Sequence, residues 1–151
     1  MSQLYDFTYP IEVDYNVSLE KLIKDGNYSW INEHITSKNF PTKNNSTSKL
    51  IMKLIEFTGF ITEEEILYSL NQLGCRPAEI YELISLGLKY PDIQRKILIV
   101  SIGSKWKNPD LNQIVVPILG TQNQKRILSL EMIASVLMPL SSRRRFATIA
   151  L

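Results

Sequence analysis

His34 is the single histidine and Cys75 the single cysteine of this chain. A Ser-His-Asp or Cys-His nucleophile would have to recruit His34, and Cys75 is distant from it in sequence. Metal sites need several Cys, His or clustered carboxylates. The one carboxylate cluster, Glu63-Glu64-Glu65, is accounted for by a helix start. No phosphate loop and no dinucleotide fingerprint occurs. The expectation is therefore no catalytic residue, no metal and no cofactor.

Three groups of residues could still bind something. Arg143-Arg144-Arg145 is the sharpest basic feature. Side chains alternate along a strand, so one arginine should point away from its neighbours. The trio either guards a sheet edge or contacts an anion or nucleic acid. Gly103-Ser104 follows an apolar run, with Lys105 and Trp106 next. It is a weak echo of a phosphate-binding turn. Tyr28, Trp30 and Phe40 belong to an N-terminal part that holds half of the aromatic residues before position 41. They either lock that segment onto a sheet or form an exposed patch.

The elements that would position these residues are legible in part. Residues 11–15 and 49–58 read as strands, the first with Pro10 at its start or edge. Ser18 caps a short helix that Gly26 ends. Residues 42–48 are a polar loop and the best candidate for a flexible site. Thr62 and Glu65 form a capping box, with Ile61 and Ile66 as a hydrophobic staple. Ile66, Leu67, Leu70 and Leu73 then follow helical spacing, and Gly74 closes the helix. Pro77 suits the first position of a second helix, which Gly87 can end.

Residues 97–102 read as a strand buried on both faces. Strands follow at 113–119, with Pro117 at an edge or end, and at 126–132 and 145–151. They flank an apolar stretch, Ala134 to Leu140, of undetermined type. This predicts an α+β domain spanning 1–151. Its mostly antiparallel sheet has five to six strands, with an αα-hairpin over about 62–87 packed on it. A helix-turn-helix reading of that hairpin is disfavoured, since residues 77–86 carry Glu79 and Glu82 and no Lys or Arg.

Composition fits one globular domain without a membrane span. The N-terminus shows no secretory signal, and a lone cysteine suits a reducing cytoplasm. Net charge is +2, but residues 1–70 sum to −4 and residues 71–151 to +6. Such a split can guide a partner.

Tyr9-Pro10-Ile11-Glu12-Val13-Asp14-Tyr15, Gly26 with Tyr28 and Trp30, and Phe40-Pro41 occur in order. Gly74-Cys75-Arg76-Pro77-Ala78 with Glu82-Leu83, and Lys89-Tyr90-Pro91 with Gln94, come next. Ile99-Val100, Gly103-Ser104 with Trp106, and Arg145-Phe146-Ala147 complete the set. Together they resemble a family of small uncharacterised bacterial proteins across nearly the whole chain. That resemblance implies no fold, function or site. Arg76-Pro77-Ala78 with Glu82-Leu83 is also similar to a helix segment of bacterial C-type-lectin-like domains, whose usual disulfides cannot form here.

The leading expectation is a non-catalytic cytoplasmic binding or interaction protein, such as a bacterial or phage accessory factor, with another protein as partner. One alternative is a nucleic-acid-binding regulator using Arg143–Arg145, Lys105, Lys107, Lys125 and Arg126. The other is an enzyme acting on a small phosphorylated or sugar ligand near Gly103-Ser104. The oligomeric state is left open.

Overall fold

The computed structural model describes residues 4–138 and 143–151. β1 (Leu4–Asp14) and β3 (Thr47–Phe57) pair antiparallel along their full length. β9 (Arg144–Ala150) joins β3 antiparallel and β5 (Leu98–Val100) parallel. β7 (Gln113–Gln122) continues from β5, β8 (Lys125–Met132) follows, and the two-residue β2 (Trp30–Ile31) closes the far edge parallel to β8. Two short strands lie off this path: β4 (Cys75–Pro77) on β9 and β6 (Trp106–Asn108) on β7.

This overturns the expected architecture. Among the described residues one mixed sheet of nine strands forms, not a mostly antiparallel sheet of five to six. The strands that sequence reading missed are β2, β4 and β6, each of two or three residues. A run that short carries no periodic pattern.

The αα-hairpin is absent as well. α2 (Glu63–Gln72) and α3 (Ile80–Lys89) are separated by β4 and pack in different cores. Cys75, Arg76 and Pro77 pair with Ala150, Ile149 and Thr148 of β9, so the chain passes through the sheet between the helices. Pro77 ends that strand instead of opening α3. Gly87 does not stop α3 either. A Cβ at Gly87 would lie 2.8 Å from the Tyr28 hydroxyl, so the glycine allows close packing within the helix.

The strand residues alternate between the two cores. Met52, Leu54, Ile99, Leu119, Ala147 and Ile149 face α3 and α1 (Leu19–Asp25). Ile55, Phe57, Val100, Val116, Ile118 and Phe146 face α2 and the short α4 (Ile133–Val136). The sheet is thus buried on both sides, as the apolar run at 97–102 implied. The two cover layers are unequal. The first has α1, α3 and the segment around Ile35 and Phe40. The second has one ten-residue helix and one four-residue helix.

Pro117 sits inside β7, not at its end. Its carbonyl accepts from Ser101 N–H at 3.0 Å. The proline nitrogen therefore faces the gap between β5 and β6, where no ladder donor is needed. β3 starts at Thr47, which shortens the predicted loop. Of the apolar stretch 134–140, residues 133–136 are helical and residues 139 and 140 lie outside the described residues. No helix among the described residues is long and apolar enough to cross a membrane.

Candidate functional site

The three arginines at the start of β9 are held by the molecule itself. Glu56 on β3 stands opposite Arg145 in the ladder. It accepts from Arg143 Nε at 2.9 Å and Nη2 at 2.7 Å, and from Arg145 Nε at 3.2 Å. Arg145 also lies over the Phe7 ring, its Cζ 3.6 Å from the centroid. Those contacts hold the Glu56 carboxyl below the usual carboxylate range. Arg143 is the largest cause, burial opposes it, and Arg145 adds to it. Arg144 points the other way and is buried. It donates to the carbonyls of Val136, Phe57, Gly59 and Leu137. A guanidinium carries five donors, so one side chain fastens the end of α4 to the end of β3.

The Gly103-Ser104 turn is tied to the start of α3. Ser104 Oγ accepts from Ile80 N–H at 2.8 Å, which supplies a cap that Glu79 does not. Gly103 N–H and the Ser101 hydroxyl both donate to the Ala78 carbonyl. A Cβ on Gly103 would overlap that carbonyl, so only glycine fits. Lys105 pairs with Glu63 at the start of α2.

Beside this turn lies the most buried ionic group. Glu82 is fully buried and accepts from Arg76 at 2.6 and 3.0 Å, from Tyr15 at 2.6 Å and from Glu79 N–H at 2.8 Å. Burial, then the Glu82 hydrogen bond, raises the Tyr15 pKa. Burial, then the Glu82 charge, raises Glu79. Every Glu82 oxygen is satisfied from within the fold, as a buried charge requires.

The aromatic candidates separate. Phe40 is in the core. Trp106 is half-buried against His34 and Phe40, with centroids at 5.0 and 6.5 Å. Tyr28 lies under the buried Arg126 guanidinium at 4.6 Å, and burial pushes its pKa up to about 12. Trp30, at 48% exposure, stands on the edge strand β2. These four do not form one patch.

The open apolar surface lies elsewhere, on the thinly covered face. Tyr68 is 68% exposed, Phe60 55% and Leu67 43%. Ile66 and Leu70 face inward, so Tyr68 lies on the opposite side of the same helix and Leu67 on its flank. Glu64 and Glu65 border them on the first turn and are exposed. Of the four residues at helical spacing, Ile66, Leu67, Leu70 and Leu73, expected to form one buried stripe, Ile66 and Leu70 are buried while Leu67, on the flank of the helix, and Leu73, at its end, are exposed. Among the described residues no group of His, Cys, Asp and Glu could hold a metal ion. No protein-family model, curated protein or solved structure matches the chain.

Proposed function

We propose that this protein is a non-catalytic binding protein that acts by occupying another protein through the outer face of α2. The observation that carries this reading is the exposure of Leu67 and Tyr68 on α2, and of Phe60 just before it, on the under-covered side of the sheet. Large exposed apolar side chains grouped beside a polar rim mark interaction surfaces more often than scattered ones do. Tyrosine in particular contributes strongly at such surfaces. The rim here is acidic, with the exposed Glu64 and Glu65 on the same helix. The partner that fits is a protein surface with apolar residues flanked by Lys and Arg. The buried lone cysteine fits a reducing compartment such as the cytoplasm.

The nucleic-acid reading stands second, because Arg143, Arg144 and Arg145 are all engaged by Glu56 or by backbone carbonyls. The enzyme reading at Gly103-Ser104 stands third, because that turn serves as the α3 cap. A photo-crosslinking residue at position 68 tests the leading reading inside the native host. The expected result is one dominant protein adduct, crosslinked through a Lys/Arg-rich peptide and lost when Leu67→Glu is added. Crosslinking only to a second copy of the chain, or an adduct undiminished by Leu67→Glu, would overturn it.

A further inference from the structure

On the other side of the sheet, beyond the end of α3, two hollows of about 380 and 330 Å³ share Lys96, Ile97 and Arg143 as walls. They lie where β5 and β9 begin and β7 ends. One is completed by Arg95, Gly120 and Thr121, the other by Tyr9, Ile93 and Arg145. Their size is that of a small-ligand site.

The charge in this cleft is uneven. Arg95, Lys96, Arg143 and Arg145 contribute four cations. Asp92 pairs with Arg95, and Glu56 serves both Arg143 and Arg145. Among the described residues, two carboxylates stand against four cations here. Lys96 has no carboxylate partner among the described residues. The exposed Thr121 lines the same hollow as Lys96, and Tyr9 and Ile93 supply an apolar wall of the other.

We propose that this cleft binds a small phosphomonoester with a planar apolar group. Its dianion would sit between Lys96 and Arg143, and its ring against Tyr9 and Ile93. A dianion suits a cleft with more cations than carboxylates, and guanidinium and ammonium donors are the usual partners of phosphate oxygens. Glu56 competes with the ligand for Arg143. The Tyr9–Ile93–Ile97 wall of the cleft lies on the opposite side of the sheet from α2, so this site is distinct from the protein-binding surface.

Calorimetric titration of the full chain with phenyl phosphate, inorganic phosphate and phenol tests the assignment. Phenyl phosphate should bind best, inorganic phosphate more weakly, and phenol not at all at millimolar concentration. Lys96→Glu, at an exposed position, should weaken phenyl phosphate about tenfold or more. Glu56→Gln should strengthen it several-fold by releasing Arg143. No binding of phenyl phosphate, or binding unchanged in Lys96→Glu, would overturn the proposal. A further arm uses a short oligonucleotide with and without a 5′-phosphate. Binding that needs the terminal phosphate supports a monoester site, and equal binding of both forms overturns it in favour of backbone recognition.

Discussion

Glu56 shows how one carboxylate decides what an arginine run can do. Arg143-Arg144-Arg145 reads as a basic patch, yet two of its members share one acid and the third is buried among carbonyls. The alternation of side chains was legible; the acid that two of them share, 87 residues from Arg143, was not. The pairing has a pH consequence. The Glu56 pKa is depressed in the folded state. Its contribution to stability is therefore complete above the unfolded value, about 4.3. It is lost as pH falls through the lower folded value. Glu79 has the opposite sign. Its pKa is raised, so its contribution exists below the unfolded value and disappears as pH rises through the folded one. Urea unfolding followed from neutral pH into the acid range should show a shallower acid loss for Glu56→Gln than for the parent. Parallel curves would mean that the two arginines do not stabilise the ionised carboxylate.

At the scale of elements, local chemistry was the most dependable guide. Thr62 and Glu65 exchange the expected capping contacts, with Glu65 N–H donating to Thr62 Oγ at 3.1 Å and Thr62 N–H to Glu65 Oε1 at 3.3 Å. Gly74 adopts φ +69 after α2, as its place beyond the last turn required. Thr62→Ala should lower stability by about 1 kcal/mol, measured as a shift in denaturation midpoint with unchanged slope. An effect near zero would show that the adjoining Lys105–Glu63 pair, not the cap, fixes this end. The start of α3 was misread because its cap comes from Ser104, 24 residues downstream of Ile80. Pro77 alone cannot distinguish a helix start from the last residue of a short strand. Gly26 is the C-cap of α1, as its position suggested, whereas Gly87 lies inside α3; a Cβ at Gly26 would meet the Tyr28 ring and one at Gly87 the Tyr28 hydroxyl.

At the scale of the molecule, the sheet covered on both faces governs tolerance to mutation. Leu54 and Ile55 are adjacent on β3, fully buried, and belong to different cores. Truncating either should be costly, about 2–5 kcal/mol for each of Leu54→Ala and Ile55→Ala. A sheet with one wet face would instead give one large and one small value. Equilibrium unfolding of the two single variants decides between these. The thinner cover lies over the Ile55 side, where Leu67 and Tyr68 of α2 are exposed.

The sequence by itself determined the Ser18 and Thr62 caps, the approximate extents of β3, β7, β8 and β9, the two-sided burial around Ile99 and the presence of both helices and strands. These depend on residues a few positions apart, where hydrogen-bond reach and side-chain periodicity act directly. Only the tertiary structure decided the sheet order, the placement of α2 and α3 on opposite faces, and the identity of the exposed residues. Each of these depends on partners far apart in sequence: β4 on β9, Ser104 on Ile80, Glu56 on Arg143. Such pairings are selected by the joint packing of the whole chain, and no local pattern encodes them.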